Sequence, residues 1–518
     1  MAWRRTILGL SGLAMGLLGT GATLNYFEEA LPTTLNPLFA ETMVDSRAQE
    51  LVFDRLWYRD AITNELQSRV VKTHQVAEAG RAIKITLKEG ITWHDGSSMT
   101  SKDLCFTVKS MLNRGTPSVV AAAYQEFVAG CETQGPSVAL VRFRKVLPKP
   151  RERLGFHILP ASQFSSTAIS PDMEFSARPT GTGAYKGART RREVIFDAQS
   201  NTHHSPSLMQ LQLREGGDPL LQIRTLEGGE VQGIVVVPPG SRADLRASDE
   251  VTLKSYDLRS WWFIAVNTKN PALQDKRVRQ ALNLLIDRTE LREYTIGVKP
   301  GDRNSPCEFI SGPFVSVSPY YNRTIPTVPT ANRAKADALL KAAGLTRIGG
   351  RWHLGEQPIT LKIGMLANLN NEATDLLEQV GNQLGDAGFD RQTSKVSADE
   401  WSQEVVSGQS DFDLVIGKWS FGLVEAVGDL FHTNGRKNIF GYTDAGVDEF
   451  LNAYEDAVTD TEQKDAYHKL HARLADELPY LFLWKLDTKS AWRTEVRGNI
   501  ITPYFYFTEI DSWKVVEN

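Results

Sequence analysis

The stretch from 359 to 419 constrains the fold of this chain more strongly than any other part of the sequence. Apolar segments at 359–365, 389–396 and 412–419 have the composition of strands, and helical patterns at 372–387 and 398–407 separate them. Parallel strands need a long crossover, which a helix usually supplies. This alternation therefore predicts an α/β fold with a largely parallel sheet.

Other parts of the chain carry shorter signals of both kinds. Strands are predicted at 23–27, at 83–87, where apolar and polar residues alternate, and at 259–267. A helix is predicted to begin near Ser46 and to run through Leu56. Strands and helices are thus interleaved along the whole chain, which favours several mixed α/β units over separate all-α and all-β regions.

A histidine and an aspartate stand side by side in a turn at 87–108, LKEGITWHDGSSMTSKDLCFTV. A catalytic use of His94 and Asp95 would also need a nucleophile and an oxyanion site, and the neighbouring sequence offers neither. Gly96 suits a tight turn, and Thr100 with Asp103 forms the capping box of a following helix. We therefore predict that this segment is a structural strand–turn–helix connection.

The N-terminus has the layout of a secretory signal peptide. Arg4 and Arg5 precede an apolar run at 7–18, and the small residues of 20–22 follow. The run is shorter than the ~20 apolar residues that span a bilayer. We predict cleavage near Ala22 and a soluble, periplasmic protein, with an uncleaved anchor as the alternative.

Length and charge limit the classes of partner. A chain of 518 residues is long enough for two to four domains. It carries 58 Lys and Arg against 62 Asp and Glu. Removal of Arg4 and Arg5 with the signal leaves 56 against 62, a formal charge of −6. This mildly acidic balance argues against nucleic acid or an anionic membrane as a partner.

Three cysteines allow at most one disulfide. Export permits a bridge, and Cys105 and Cys131 are closer in sequence to each other than either is to Cys307. The pair Cys105–Cys131 is therefore favoured.

The histidines offer the best case for an exported metal-dependent hydrolase. His468 and His471 share a helix face, and His203 and His204 are adjacent elsewhere. A metal would need a third ligand, and the sequence contains neither a His-Glu-x-x-His pattern nor the Gly-x-Ser-x-Gly of a serine hydrolase. Haem or nickel binding is a further possibility, but the sequence contains neither a CxxCH motif nor a His/Cys cluster. We predict no enzyme activity, no catalytic residue, no metal site and no cofactor.

Four motifs, in order along the chain, resemble one protein family. They are the opening segment LNPLFAETM at 35–43, the turn Trp93-His94-Asp95-Gly96 with Thr100 and Asp103, the glycine-rich RPTGTGAY at 178–185, and NTKNPALQDKRVRQALNLLIDR at 267–288. The chain resembles the large extracellular solute-binding proteins of ABC importers, the dipeptide/oligopeptide/nickel-binding family 5. The resemblance covers essentially the whole mature chain.

The resemblance implies a periplasmic-binding-protein-like α/β fold of type II, cluster C, with two lobes, a hinge and an inserted third domain. Domain I would comprise 23–44, 170–270 and 480–518. Domain II would be an insertion at 45–169, and domain III would comprise 271–479. The two lobes would close over a ligand by hinge motion.

The resemblance also implies where the ligand binds, between domains I and III. The candidate ligand-binding residues are Glu41, Met43, Trp261, Trp262, Trp419, Phe421 and Glu425. Adjacent strand residues face opposite sides, so at most one of Trp261 and Trp262 can face a cleft. Peptide-binding members carry an Asp shortly after the tryptophan matched by Trp419, and this chain has none there, unless Glu425 replaces it. Ordinary free-amine peptides are therefore in doubt, and a blocked peptide, a sugar or a more apolar solute are alternatives.

Together these signals predict that the chain is the substrate-binding protein of an ABC transporter. It would act as a monomer that captures a peptide or peptide-like solute and delivers it to a membrane permease. The alternatives are the exported hydrolase and a degenerate binding protein that acts as a sensor.

Overall fold

The computed structural model describes most of the chain. The described residues are 22–60, 65–200, 203–238, 241–256, 259–296, 307–367, 369, 373, 375–397, 400–405, 410–421 and 425–516. The predicted signal peptide lies outside them, apart from its last residue, Ala22. Within these ranges, no helix combines the length and the apolar character needed to cross a membrane.

A seven-stranded mixed sheet forms the centre of domain I. In spatial order its strands are Val251–Ser255, Lys489–Arg493, Gly233–Ile234, Thr23–Glu28, Gln210–Glu215, Glu193–Ala198 and Tyr185–Arg189. The strand Thr23–Glu28 is parallel to both of its neighbours, and the outer strands pair antiparallel. The helices of this region are Met43–Val52, Pro219–Glu227 and Arg242–Ala247.

Domain II is built on a four-stranded antiparallel sheet. Its strands, in spatial order, are Val71–Ala77, Ala82–Leu87, Val138–Phe143 and Val128–Thr133. Its helices are Ser101–Leu112, Val119–Gln125 and Pro150–Arg153. The first of these begins with the predicted capping box of Thr100 and Asp103. The favoured disulfide is also confirmed, because Cys105 on this helix is bonded to Cys131 on the sheet.

Domain III contains a five-stranded sheet. Its strands, in spatial order, are Asp390–Val396, Thr360–Leu366, Leu414–Phe421, Arg259–Val266 and Tyr480–Phe482. The first three are parallel, as the βαβαβ pattern predicts, but the last two join antiparallel. The sheet is therefore mixed rather than largely parallel, since these two strands come from the ends of the domain and need no helical crossover to pair.

Helices cover both faces of this sheet. They are Lys276–Leu285, Arg288–Ile296, Arg333–Ala342, Leu376–Asp386, Gly428–Phe431, Ala445–Asp456 and Asp460–Glu477. The helix predicted at 398–407 appears as one helical turn at Trp401–Val405, and parts of that range lie outside the described residues. Small strands complete the fold: Tyr58–Arg59 with Leu66–Gln67, Cys307–Phe309 with Trp484–Leu486, Thr346–Ile348 with Arg351–Leu354 and Gln357–Pro358, and Val496–Arg497 with Lys514–Val515.

The buried apolar side chains show which domains share a core. One continuous core joins the seven-stranded and four-stranded sheets, with Leu24 and Ile85 both in it. Domain III has two separate cores, one on each face of its sheet, to which Trp262 and Trp261 respectively belong. Domains I and II therefore form one lobe, here called the first lobe, and domain III forms the second lobe.

The chain crosses between the lobes twice, and the crossings lie side by side. The first follows Val251–Ser255 and the second precedes Lys489–Arg493. The Tyr256 amide donates a hydrogen bond to the Thr488 carbonyl at 3.0 Å. Two adjacent crossings held by backbone hydrogen bonds form the connection expected of a hinge.

The observed sheets differ from the predicted domain boundaries at both crossings. Arg259–Val266 and Tyr480–Phe482 hydrogen-bond within the five-stranded sheet, so they group with domain III. The prediction assigned both to domain I, because it placed the boundaries at 270 and 480. The predicted boundaries are displaced because neither crossing carries a Gly- or Pro-rich stretch that would mark it in the sequence. The strand Arg259–Val266 follows one crossing, and Tyr480–Phe482 precedes the other.

The first helix also differs from its prediction. It spans Met43–Val52 and does not reach Leu56. Thr42 and Asp45 form a capping box in which each side chain bonds the backbone of the other. That pair gives two of the free amides at the start of the helix a partner, so it sets the start three residues before Ser46.

Candidate ligand-binding cleft

A cavity of about 880 Å³ lies between the two lobes. Residues of 43–155 and 504–505 line it from the first lobe, and residues of 426–467 line it from the second. Its aromatic lining residues are Trp57, Tyr58, Tyr124, Phe127, Tyr467, Tyr504 and Phe505. This volume and this lining are typical of small-molecule and short-peptide sites, which occur preferentially between domains.

Three ion pairs join the lobes at the open end of the cleft. Lys149 contacts Asp460, the Arg153 guanidinium lies 3.2 Å from the Glu455 carboxylate, and that of Arg436 lies 3.2 Å from Glu126. Lys149 also donates to the Gln463 side chain at 3.1 Å. Each pair takes one member from each lobe, so these contacts exist only when the lobes are close together. We call them the rim pairs.

A buried ion pair lies at the hinge end of the cleft. Arg259, the first residue after a crossing, places its guanidinium 3.2 Å from the Glu425 carboxylate. The Ser318 hydroxyl donates to the same carboxylate at 2.6 Å. Burial raises the pKa of Glu425 to about 7, and the Arg259 charge and the Ser318 hydrogen bond only partly oppose this rise. Glu425 is thus held inside the second lobe.

Basic side chains line the cleft as well. Arg55 lies over the Phe505 ring with its guanidinium carbon 5.5 Å from the ring centre. Lys145 and Arg151 also line the cavity. In the described part of the chain, neither of the latter two side chains has an acidic partner within ion-pair distance. The cleft therefore presents basic side chains to a bound solute, beside the carboxylates of Glu126, Glu152, Asp429 and Glu455.

The predicted ligand-binding residues of the opening segment occupy different environments. Met43 lines the cavity and is half-buried. Glu41 is exposed, and its amide caps the first helix by donating to Asp45 at 3.1 Å. The structure thus brings Met43 into the cleft wall and leaves Glu41 at the surface.

The predicted aromatic residues belong to the second lobe and are not among the residues that line the cavity. Trp261 and Trp262 are both buried, on opposite faces of the five-stranded sheet, as strand geometry requires. Phe421 stacks on Trp261, and Trp419 stacks on Phe263 with ring centres 5.8 Å apart. Trp419 and Phe421 are half-buried, whereas Trp262 has no exposed surface. Direct ligand contact by these four residues stays a prediction.

The His-Asp turn is scaffold, as predicted. His94 Nδ1 accepts from the Gly181 amide at 3.1 Å, and Nε2 lies 2.9 Å from the Gly183 carbonyl. Burial lowers the pKa of His94 to about 4, so its neutral form donates from Nε2. Asp95 accepts from the Ser97 amide at 2.9 Å. Two of the four motifs thus bind each other and fix domain II onto domain I.

The glycines of the RPTGTGAY motif allow this contact. A Cβ on Gly181 would lie 1.8 Å from the Val52 carbonyl oxygen, and one on Gly183 would lie 2.7 Å from that of Leu51. Only glycine permits such close backbone approach at the end of the first helix.

In the part of the chain that the structure describes, His468 and His471 belong to no group of three potential metal ligands. His471 is buried and bonds through both ring nitrogens, to the Ser311 hydroxyl at 3.1 Å and the Asn322 amide at 3.1 Å. Burial lowers the pKa of His471 to about 4. This histidine is a hydrogen-bonded part of the core.

His203 and His204, by contrast, converge with Asp54. One ring nitrogen of each lies 2.7 and 3.2 Å, respectively, from the Asp54 carboxylate. Burial would raise the pKa of Asp54, but the hydrogen bonds from both histidines hold it well below its usual range. Burial would likewise lower the pKa of His204, but hydrogen bonds to Asp511 and Asp54 raise it to about 9. Asp54, His203 and His204 thus form a compact group of potential metal ligands.

Sequence reasoning missed most of the residues that line the cleft. The aromatic residues Trp57, Tyr124 and Phe505 are far apart in sequence and meet only in the folded chain. The same holds for Asp54, which lies 149 residues from His203. The aromatic and basic residues within 55–58 are a local signal that could have pointed to the cleft.

Comparison with known proteins accounts for this architecture. The pattern of the bacterial extracellular solute-binding proteins, family 5, middle region, matches residues 65–440. The chain belongs to this family. Members of family 5 are solute-binding proteins rather than enzymes.

Similar family 5 proteins come from several bacteria. The oligopeptide-binding protein AppA of Bacillus subtilis is 22% identical over 509 residues, which cover 93% of this chain and 89% of AppA. Its structure in complex with a nonapeptide has a TM-score of 0.78 at 20% identity and covers 96% of this chain and 99% of that one. The structure of NikZ from Campylobacter jejuni in complex with Ni(L-His) has a TM-score of 0.78 at 19% identity. It covers 95% of this chain and 99% of that one. These structures confirm the periplasmic-binding-protein-like fold.

Proposed function

We propose that this chain is the substrate-binding protein of an ABC importer. It captures a peptide or peptide-like solute between its lobes and delivers it to a membrane permease. The observation that carries the proposal is the cavity of about 880 Å³ lined by both lobes. The predicted export signal and the peptide ligands of similar family 5 proteins support the same function. The chain acts as a monomer in the cell envelope, and closure of its lobes is the signal that the permease reads.

The lobes close because the solute interacts differently with the open and closed forms. A solute that touches residues of both lobes binds the closed form more tightly than the open form and shifts the population by that difference in affinity. The rim pairs add a smaller contribution, because their members meet only in the closed form. The ligand and the rim pairs therefore both favour the closed form.

The charges of the cleft favour a solute with an acidic group. Glu425 is engaged by Arg259 and Ser318, so an α-ammonium group would have to compete with a guanidinium for it. Lys145 and Arg151 instead offer cationic partners for a carboxylate. We infer that the carboxylate end of the solute is the charged end that the protein recognises. Met43 and Trp57 contribute apolar surface to its remaining part.

The first experiment is mass measurement of the exported protein under native and denaturing conditions. Only the native spectrum retains a non-covalent solute, so a removable adduct weighs the ligand directly. Titration calorimetry then compares a free peptide, its N-acetylated form and its C-terminal amide. We expect N-acetylation to have little effect and amidation to weaken binding about tenfold, the loss of one charge-assisted contact. An opposite order would overturn the inference about charge.

Matched variants test the cleft itself. Arg151→Ala should weaken binding of the carboxylate form and should have little effect on the amide. Lys84→Ala removes an exposed lysine from the domain II sheet, outside the cavity, and should leave both affinities unchanged. Absence of any adduct, together with no thermal shift in a panel of peptides and sugars, would instead favour the degenerate sensor.

A further inference from the structure

A second group of chemically active side chains lies away from the cleft, where three segments of the first lobe meet. Asp54 follows the first helix, His203 and His204 come from the connection between two strands of the seven-stranded sheet, and Asp511 comes from the C-terminal segment. None of these residues lines the interlobe cavity. Their convergence serves no evident purpose in solute binding.

We propose that Asp54, His203 and His204 bind a divalent transition-metal ion of the zinc type. Two imidazole nitrogens and one carboxylate oxygen are a donor set that suits zinc and comparable ions. The three donor atoms lie within 4.8 Å of one another. A four-coordinate ion with bonds of ~2.0–2.1 Å needs donors about 3.3 Å apart. The His203 nitrogen lies 2.7 Å from one oxygen of the Asp54 carboxylate, and the His204 nitrogen lies 3.2 Å from the other, so both separations are close to or below this value.

The surroundings of the three residues provide independent support. His204 uses Nε2 toward Asp54 and Nδ1 toward the Asp511 carboxylate, at 2.7 Å. A metal-binding histidine almost always donates its other N–H to such a carboxylate, which fixes the ring and strengthens the ligand. The Thr182 hydroxyl donates to the Asp54 carboxylate at 2.9 Å and orients it in the same way.

The position of the site indicates its role. An ion here would fasten the end of the first helix, the 203–204 connection and, through Asp511, the C-terminal segment to one another. Asp54 and His204 are buried, but the His203 side chain is 12% exposed, so an ion has a route from solvent. Three protein ligands leave a fourth position for water.

Metal binding is measured on the full mature chain after chelator treatment. Equilibrium dialysis against Zn²⁺ should give one tightly bound ion per chain. Co²⁺ should give the visible ligand-field absorption of a four-coordinate ion with nitrogen and oxygen donors. Zn²⁺ should also protect His203 and His204 from acylation by diethyl pyrocarbonate, read by peptide mass spectrometry. This last measurement needs no variant, and full modification of both histidines in the presence of Zn²⁺ would overturn the proposal.

Variants identify the ligands. His203→Gln removes one donor and keeps the bond between His204 and Asp511, and it should weaken Zn²⁺ binding at least ~10-fold. Asp511→Asn leaves all three ligands and should weaken binding by ~10-fold or less through loss of ring orientation. His74→Gln changes an exposed histidine of the four-stranded sheet and should have no effect. Zn²⁺ affinity unchanged in His203→Gln, or a stoichiometry of zero in the wild-type chain, means that a protonated hydrogen-bonded network occupies this place and no metal site exists.

Discussion

The two ends of the interlobe cleft use the same kind of interaction in opposite environments. At the hinge end the Glu425 side chain is 1% exposed and its partner Arg259 is 18% exposed. At the open end the exposed fractions of the acidic side chains reach 92% for Asp460 and 56% for Glu126. Removal of one partner of a buried pair leaves an unpaired buried charge, whereas exposed pairs contribute little each and respond to salt. The hinge pair is therefore expected to govern stability, and the rim pairs to govern closure.

Arg259→Ala should have the largest effect. It leaves the Glu425 carboxylate buried beside the Ser318 hydroxyl, and loss of one partner of a buried ion pair costs about 3–5 kcal/mol. Urea unfolding at neutral pH measures the loss as a change in the free energy of unfolding. Arg436→Ala, which removes an exposed arginine of a rim pair, is the control and should change it by less than about 1 kcal/mol. Equal losses in the two variants would contradict the distinction between the two ends.

The next largest effect is a pH dependence of the stability of the folded chain that comes from Glu425. Burial raises its pKa in the folded chain to about 7, from 4.5 in the unfolded chain. The folded state therefore holds the proton more firmly, so the contribution to stability is complete below pH 4.5 and is lost as the pH rises through about 7. The lost contribution is at most about 3.5 kcal/mol, since the two pKa values differ by about 2.5 and each pKa unit corresponds to about 1.4 kcal/mol.

Glu425→Gln should remove this contribution, and the test is the thermal midpoint measured across the same pH window. Glu50, whose pKa burial also raises to about 7, is present in both proteins, so the difference between them isolates Glu425. Parallel pH profiles for the two proteins would show that Glu425 stays ionised in the fold and that the hinge pair is a permanent salt bridge.

Local signals predicted the scaffold well. The capping box at Thr100 and Asp103 and the turn around His94 depend on contacts within a few residues, and the structure confirms both. The mixed sheet of domain III was missed because Arg259–Val266 and Tyr480–Phe482 pair across more than 200 residues of sequence. No periodicity within a segment reports such a partner.

The chemistry of the sites was harder to predict than the fold, for the same reason. Glu425 was predicted to bind the ligand, and its engagement by Arg259 and Ser318 depends on three distant segments. His203 and His204 were noticed as a pair, and their third partner, Asp54, carries no local mark. Residue type and spacing identify candidates, and only tertiary packing decides which of them meet.

The smallest predicted effect concerns closure and not unfolding. Lys149→Gln, Glu126→Gln and Glu455→Gln together remove one charge from each rim pair. Each exposed pair contributes about 0.2–1 kcal/mol, so the triple variant should shift the ligand-free chain toward the open form by about 1–2 kcal/mol. Small-angle scattering should then show a larger radius of gyration, and the free energy of unfolding should change little.

High salt should reproduce this shift in the wild-type chain, because at 1 M ionic strength charges are screened beyond about 3 Å. Lys362→Gln breaks an exposed ion pair with Asp411 inside the second lobe and should leave the radius of gyration unchanged. If the triple variant unfolds more easily but has the same dimensions as the wild type, the rim pairs stabilise the lobes themselves. The two ends of the cleft would then differ only in the strength of their ion pairs and not in what those pairs control.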